Sequence, residues 1–222
     1  AFAFNDSFND TKTFLNVLNC SFKDNTCNTS QGSSLCLDVR KLSVENCIFE
    51  SESNSTIYLH HFNSSLETSK EVFSFNNCSF VSSREHPIHI SNCMSEVNIS
   101  SCSFTYQKDV VYIEQCKSDV YINDCSFMFA NEFAVFDDFS QPSCSIYAQT
   151  EASFTIKNIV YKVNDQEKVP DYAIACDCNE SFIVSDSLLN SCGLCILPNS
   201  QISDQIKIAN ISFKNVNRTI IV

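Results

Sequence analysis

Val97-Asn98-Ile99-Ser100-Ser101-Cys102-Ser103-Phe104 and Val120-Tyr121-Ile122-Asn123-Asp124-Cys125-Ser126-Phe127 are two copies of one phrase in successive stretches of the chain. Each opens on an apolar residue at every second position, the pattern of a strand with one buried face. A short polar residue, Ser101 or Asp124, then breaks the alternation. Such side chains hydrogen-bond local backbone in a bend and tolerate left-handed dihedrals. Cys and Phe resume the alternation beyond the bend, so the phrase reads strand, polar bend, strand.

The phrase recurs along the whole chain. Asn19-Cys20-Ser21-Phe22, Asn46-Cys47-Ile48-Phe49 and Asn77-Cys78-Ser79-Phe80 precede these two, and Asn158-Ile159-Val160-Tyr161, Asp186-Ser187-Leu188-Leu189 and Asn210-Ile211-Ser212-Phe213 follow without cysteine. The shortest interval between starts, from Ser101 to Asp124, gives the minimal coil, and the longer intervals carry insertions at Ser51 to Ser69 and Phe136 to Thr150. Leucine-rich repeats need a Leu-x-x-Leu-x-Leu frame that is absent, helical repeats need apolar spacing of three and four, and a sandwich gives no reason for one phrase to recur in place. The expected fold is all-β: a single parallel β-helix over residues 1–222, a rod of roughly 35 to 45 Å for seven to nine coils.

Stacked coils place equivalent residues in columns. Phe22, Phe49, Phe80, Phe104 and Phe127 are expected to form an internal aromatic ladder, closed by Phe213. Cys102 with Cys125, and Cys93 with Cys116, are each separated by the length of one minimal coil and fall at one azimuth in adjacent coils, within the Cα range a disulfide tolerates. A free cysteine also packs well in such a column, and the connectivity stays open. Cys192-Gly193-Leu194-Cys195 has the form of a dithiol redox motif but lacks the strand-then-helix context that would activate it. Cys176 and Cys178, one coil earlier, make cross-coil disulfides the better reading.

Composition narrows the function. The 222 residues carry 14 Lys and Arg against 26 Asp and Glu, a net charge of -12, which argues against nucleic acid or an anionic membrane as partner. Two glycines leave no loop for cradling a cofactor phosphate, and no cofactor is expected. Fourteen cysteines accompany eleven glycosylation sequons, at Asn5, Asn9, Asn19, Asn28, Asn54, Asn63, Asn77, Asn98, Asn179, Asn210 and Asn217. Together they indicate a secreted or surface-exposed glycoprotein. No leader pattern opens the chain and no run approaches a membrane span, which suggests a mature or excised segment of a longer extracellular protein.

Other sites are weak. His60 and His61 point apart in an extended strand, and His86 and His89 flank Pro87, so none makes a metal centre by spacing. Calcium has no spaced ligand loop. Asp137, Asp138, Asp171 and Asp177 are the carboxylates available for acid and base roles. Tyr106, Tyr112, Tyr121 and Tyr147 are the aromatics that could stack on sugars if they face outward, although Tyr112 and Tyr121 also suit packing.

The coil pattern resembles the right-handed parallel β-helix superfamily that includes the pectin-lyase-like enzymes, and the surface-protein repeats of polymorphic bacterial outer-membrane proteins and protist surface proteins. Of the polygalacturonase phrases only Asp137-Asp138 is matched, and Arg218-Thr219-Ile220 departs from Arg-Ile-Lys. Phe22-Lys23-Asp24-Asn25 matches the Phe-x-x-Asn phrase of the bacterial repeats, whose Gly-Gly-Ala-Ile phrase is absent. The resemblance thus implies a non-enzymatic extracellular structural element. Phe2 and Phe4 at one end and Ile220, Ile221 and Val222 at the other suggest end-to-end stacking into a homo-oligomer or filament. An adhesin that binds a polysaccharide or cell-surface ligand is the alternative reading, and a polysaccharide hydrolase or lyase the second.

Overall fold

A computed structural model describes residues 2–5, 14–25, 34–39, 41–51, 55–60, 71–82, 86–106, 110–129, 144–163, 172–197, 201–216 and 220–221. The chain is a parallel β-solenoid of three sheets, with no helix among the described residues. Sheet A holds nine strands: Phe2–Asn5, Leu35–Asp38, Ile57–His60, Ile88–Ser91, Val111–Cys116, Cys144–Thr150, Tyr172–Cys178, Gly193–Ile196 and Ile220–Ile221. Sheet B holds eight: Phe14–Leu18, Lys41–Glu45, Val72–Asn76, Glu96–Ser100, Val120–Asn123, Phe154–Lys157, Ser181–Ser185 and Gln205–Ala209. Sheet C holds the other eight: Ser21–Lys23, Ile48–Ser51, Ser79–Ser82, Ser103–Tyr106, Ser126–Phe129, Val160–Val163, Leu188–Asn190 and Ser212–Lys214. Each coil runs A, B, C, and insertions make most coils longer than the minimal unit.

The repeated phrase is the corner between sheets B and C. All eight residues that open it, from Asn19 to Asn210, sit in the left-handed region with φ between 51° and 55°. Asn, Asp and Ser tolerate that conformation where a branched side chain does not. Their side chains also link coils on the outside: Asn77 donates to Asn46 Oδ1 at 2.8 Å, Asn158 to Asp124 Oδ1 at 2.6 Å and Asn210 to Asp186 Oδ1 at 2.9 Å.

Beyond the corner, the phenylalanine ladder fills the core under sheet C. Phe22, Phe49, Phe80, Phe104 and Phe127 stack with ring centroids 4.9 Å apart and planes within 6° of parallel. The column continues through Tyr161 and Leu189 to Phe213. Val97 and Ile99, Val120 and Ile122, and their equivalents from Leu42 to Val184 fill the sheet B side and are buried.

The cysteines of the phrase have a local task. Cys20, Cys47, Cys78, Cys102 and Cys125 each place Sγ 3.1–3.3 Å from the carbonyl two residues back, across the left-handed residue. From Cys47 onward each also lies 3.5–3.7 Å from a carbonyl of the preceding coil. The thiol is thus a small buried donor that ties the corner together. Ser187 holds the same place later in the chain and donates to Ser185 at 2.7 Å. The hydrogen bond with Cys125 pushes the Cys102 thiol up to about 12, so it remains a protonated donor at neutral pH. The thirteen described cysteines form no disulfide with one another in this structure. This arrangement predicts that Cys102→Ser, which keeps a donor, leaves the unreduced protein within about 1 kcal/mol of wild type, while Cys102→Ala costs about 1 kcal/mol more. A loss of about 2–4 kcal/mol for the serine variant in urea unfolding would instead reveal a cross-coil disulfide.

Two segments read as insertions contain sheet strands. Ile57–His60 lies within Ser51 to Ser69, and Cys144–Thr150 within Phe136 to Thr150. A reading built on two strands per coil leaves sheet A out, because its strands carry no cysteine phrase of their own.

Candidate functional site

Those strands form the face most suited to a ligand. Alternation turns Ile57 and Leu59, Ile88 and Ile90, Val111 and Ile113, Ile146 and Ala148, and Ile174 and Cys176 into the core. The residues between them point away from the core in two rows along the solenoid, of which Ser91, Tyr147 and Ala175 are themselves buried. The first row runs Tyr58, His89, Tyr112, Tyr147 and Ala175 in direct register. Its ring centroids are separated by 4.9 Å from Tyr58 to His89, 5.2 Å from His89 to Tyr112 and 5.0 Å from Tyr112 to Tyr147. His89 stands edge-on to both tyrosines beside it, while Tyr112 and Tyr147 stack.

The second row is polar: His60, Ser91 and Glu114, then Gln149 and Asp177. Ser91 Oγ lies 2.8 Å from His60 Nδ1 and 3.2 Å from the Tyr58 hydroxyl. His89 Nε2 lies 3.2 Å from Glu114 Oε1, and Gln149 donates to Asp177 Oδ2 at 3.3 Å. The rows therefore brace each other. Burial, with Tyr112 and Asp177 nearby, holds the Tyr147 hydroxyl protonated well above its usual range.

Where sheet A turns toward sheet B, Asn92 and Gln115 adopt φ of 51° and 53°. These bends leave a cavity of about 540 Å³ that crosses the coils beside the polar row, between His60 at one end and Asp177 and Asn179 at the other. Lys117 and Glu151 are its other charged residues. Beneath it Cys93 and Cys116 share the Ser95 carbonyl, at 3.1 and 3.9 Å. Their mutual hydrogen bond, followed by burial, pushes the Cys93 thiol well above its usual range.

Comparison with known protein families, curated proteins and solved structures finds no match. The site's chemistry rests on its own residues. The described residues contain no group of three or more His, Cys, Asp or Glu arranged to hold a metal ion, and no helix among them is long and apolar enough to cross a membrane.

The structure sorts the sequence candidates. His60 and His89 belong to the site, as do Tyr112, Tyr147 and Asp177, and His86 packs against Tyr112 at 4.8 Å. Tyr106 is buried inside and forms no outer surface. Tyr121 lies on the outer face of sheet B, donating to Asp119 at 3.1 Å. Cys192-Gly193-Leu194-Cys195 lies in and just before a strand, with Cys192 in the core and Cys195 in an outer cluster with Cys144 and Tyr172; Cys176 and Cys178 face the core. Asn19, Asn77 and Asn210 are exposed at the corner, Asn98 is half-buried in a sheet B strand, Asn179 borders the cavity and Asn5 lies in the first sheet A strand. Asn9, Asn28, Asn54, Asn63, Asn217, His61, Asp137, Asp138 and Asp171 lie outside the described residues.

Sequence reasoning missed Tyr58, Ser91, Glu114 and Gln149. Their signal was present in Ile57-Tyr58-Leu59-His60, Ile88-His89-Ile90-Ser91, Val111-Tyr112-Ile113-Glu114 and Ile146-Tyr147-Ala148-Gln149, an aromatic ring between two aliphatic residues followed by a polar one.

Proposed function

We propose that the chain is a non-catalytic, rigid element of an extracellular surface that binds a polysaccharide along the outer face of sheet A. The observation that carries this reading is the row of rings parallel to a row of hydroxyl, amide and carboxylate groups, with a cavity beside them. Sugar rings present C–H faces to aromatic rings and hydroxyls to polar groups, and a ligand site needs this mixture of apolar area and placed polar atoms. Glu114 and Asp177 are each engaged by a neighbour on the same face, which suits holding a ligand. The extracellular setting rests on the sequons, of which Asn19, Asn77 and Asn210 are exposed at the corner.

Electrophoresis through gels containing soluble polysaccharides tests the reading. At least one polysaccharide should retard the chain. Tyr112→Ala should then weaken binding about two- to tenfold, the equivalent of the about 0.5–1.5 kcal/mol of one aromatic contact. Tyr121→Ala, on the other sheet, should leave it unchanged. Retardation by none of the polysaccharides, or equal loss in both variants, would remove the sheet A face from consideration.

End-to-end stacking is a second reading with its own observation. Leu15, Val17 and Phe22 in the first described strands of sheets B and C, and Ile208 and Phe213 in the last, are only half-buried yet occupy core columns. A second copy would extend those columns and continue the sheets. Sedimentation that shifts with concentration supports it, and a constant monomer mass opposes it.

A further inference from the structure

We infer that the ligand of the sheet A face is a β-1,4-linked sugar polymer carrying free amino groups, lying parallel to the solenoid axis with one sugar per coil. This rests on the polysaccharide-binding reading above and names the polymer's class. The first ground is period. Ring centroids in the aromatic row recur at 4.9, 5.2 and 5.0 Å, the step of one coil. An extended β-1,4-linked pyranose chain advances per sugar by close to that step and turns over at each linkage, so one sugar falls on each coil and every second sugar, as at Tyr58 and Tyr112, meets the row in the same orientation.

The second ground is charge. Glu114 and Asp177 stand in the polar row, and Glu151 joins Asp177 at the cavity, against Lys117 as the fixed cation there. The chain as a whole carries -12. A polyuronate would set its carboxylates against these, with like charges repelling inside the screening distance of about 8–10 Å. A neutral glucan packs on the rings but brings no cation to Asp177 and Glu151, whereas Glu114 already faces His89 at 3.2 Å. An amino sugar satisfies both rows: its ring covers the aromatics and its ammonium donates charge-assisted hydrogen bonds to the carboxylates.

Calorimetric titration of the chain with glucosamine hexamer, cellohexaose and galacturonate hexamer, at mildly acidic pH where the amines are charged, tests the inference. Glucosamine hexamer should bind at least about tenfold tighter than cellohexaose, with the gap shrinking as salt rises, and galacturonate hexamer should bind weakest. Glu114→Gln combined with Asp177→Asn should close most of that gap. Tyr112→Ala should weaken glucosamine hexamer and cellohexaose alike. Equal binding of cellohexaose, preference for galacturonate hexamer, or a gap that survives the double substitution would overturn the amino-sugar assignment while leaving the binding face in place. Binding of none of the three would overturn the assignment and the polysaccharide reading together.

Discussion

Phe104→Ala is expected to destabilise the solenoid by about 3–5 kcal/mol, read as a lowered urea midpoint. Phe104 is buried to 1% exposure and stacks on both sides, 4.9 Å from Phe80 and 4.9 Å from Phe127. Removing the ring loses its burial and opens a cavity between neighbouring rungs. The walls cannot close on it, because the parallel backbone ladders fix the spacing between coils. Phe22→Ala supplies the internal comparison. Phe22 stacks on a single ring, Phe49, and is half-buried, so its loss should cost less than half as much. Equal effects at the two positions would mean that rung-to-rung packing is not what stabilises the column.

Asn158→Val is expected to cost about 2–3 kcal/mol. Asn158 holds φ at 52°, where a branched side chain collides with its own backbone. The substitution also removes the 2.6 Å hydrogen bond to Asp124 Oδ1. Asn158→Gly separates the two contributions, since glycine accepts the left-handed corner and loses only the side-chain bond. The glycine variant should retain most of the stability that the valine variant loses, with thermal unfolding as the readout. A valine variant as stable as the glycine variant would show that the corner conformation is not enforced by the ladders.

These predictions rest on the part of the fold that was legible in the sequence. The Cys-x-Phe phrase sits at a corner whose left-handed residue admits few residue types and whose next inward positions need a small donor and a ring. The full demand recurs in five successive phrases and the left-handed corner in all eight, so it leaves a repeated trace. Sheet A has no such corner signature. Its inner positions accept any aliphatic residue, as Leu59, Ile90, Ile113 and Ala148 show. Its outer positions answer to a ligand or to one another, and neighbouring coils share them only by register. His89 and Glu114 are far apart in sequence yet 3.2 Å apart in space, and only the alignment of strands reveals the pair. For the same reason the sequence marks Tyr112 and Tyr147 as candidates but does not join them to Tyr58 and His89. The cysteine columns were legible as columns, while their role as corner donors needed the distances to backbone carbonyls.

A crystal structure of the chain with bound glucosamine hexamer tests the binding face most directly. The sugar chain should lie along the solenoid axis on the outside of sheet A, with successive rings over Tyr58, His89 and Tyr112 and amino groups toward Glu114 and Asp177. A hexamer seated on sheet B or sheet C, or lying across the axis, would contradict that placement.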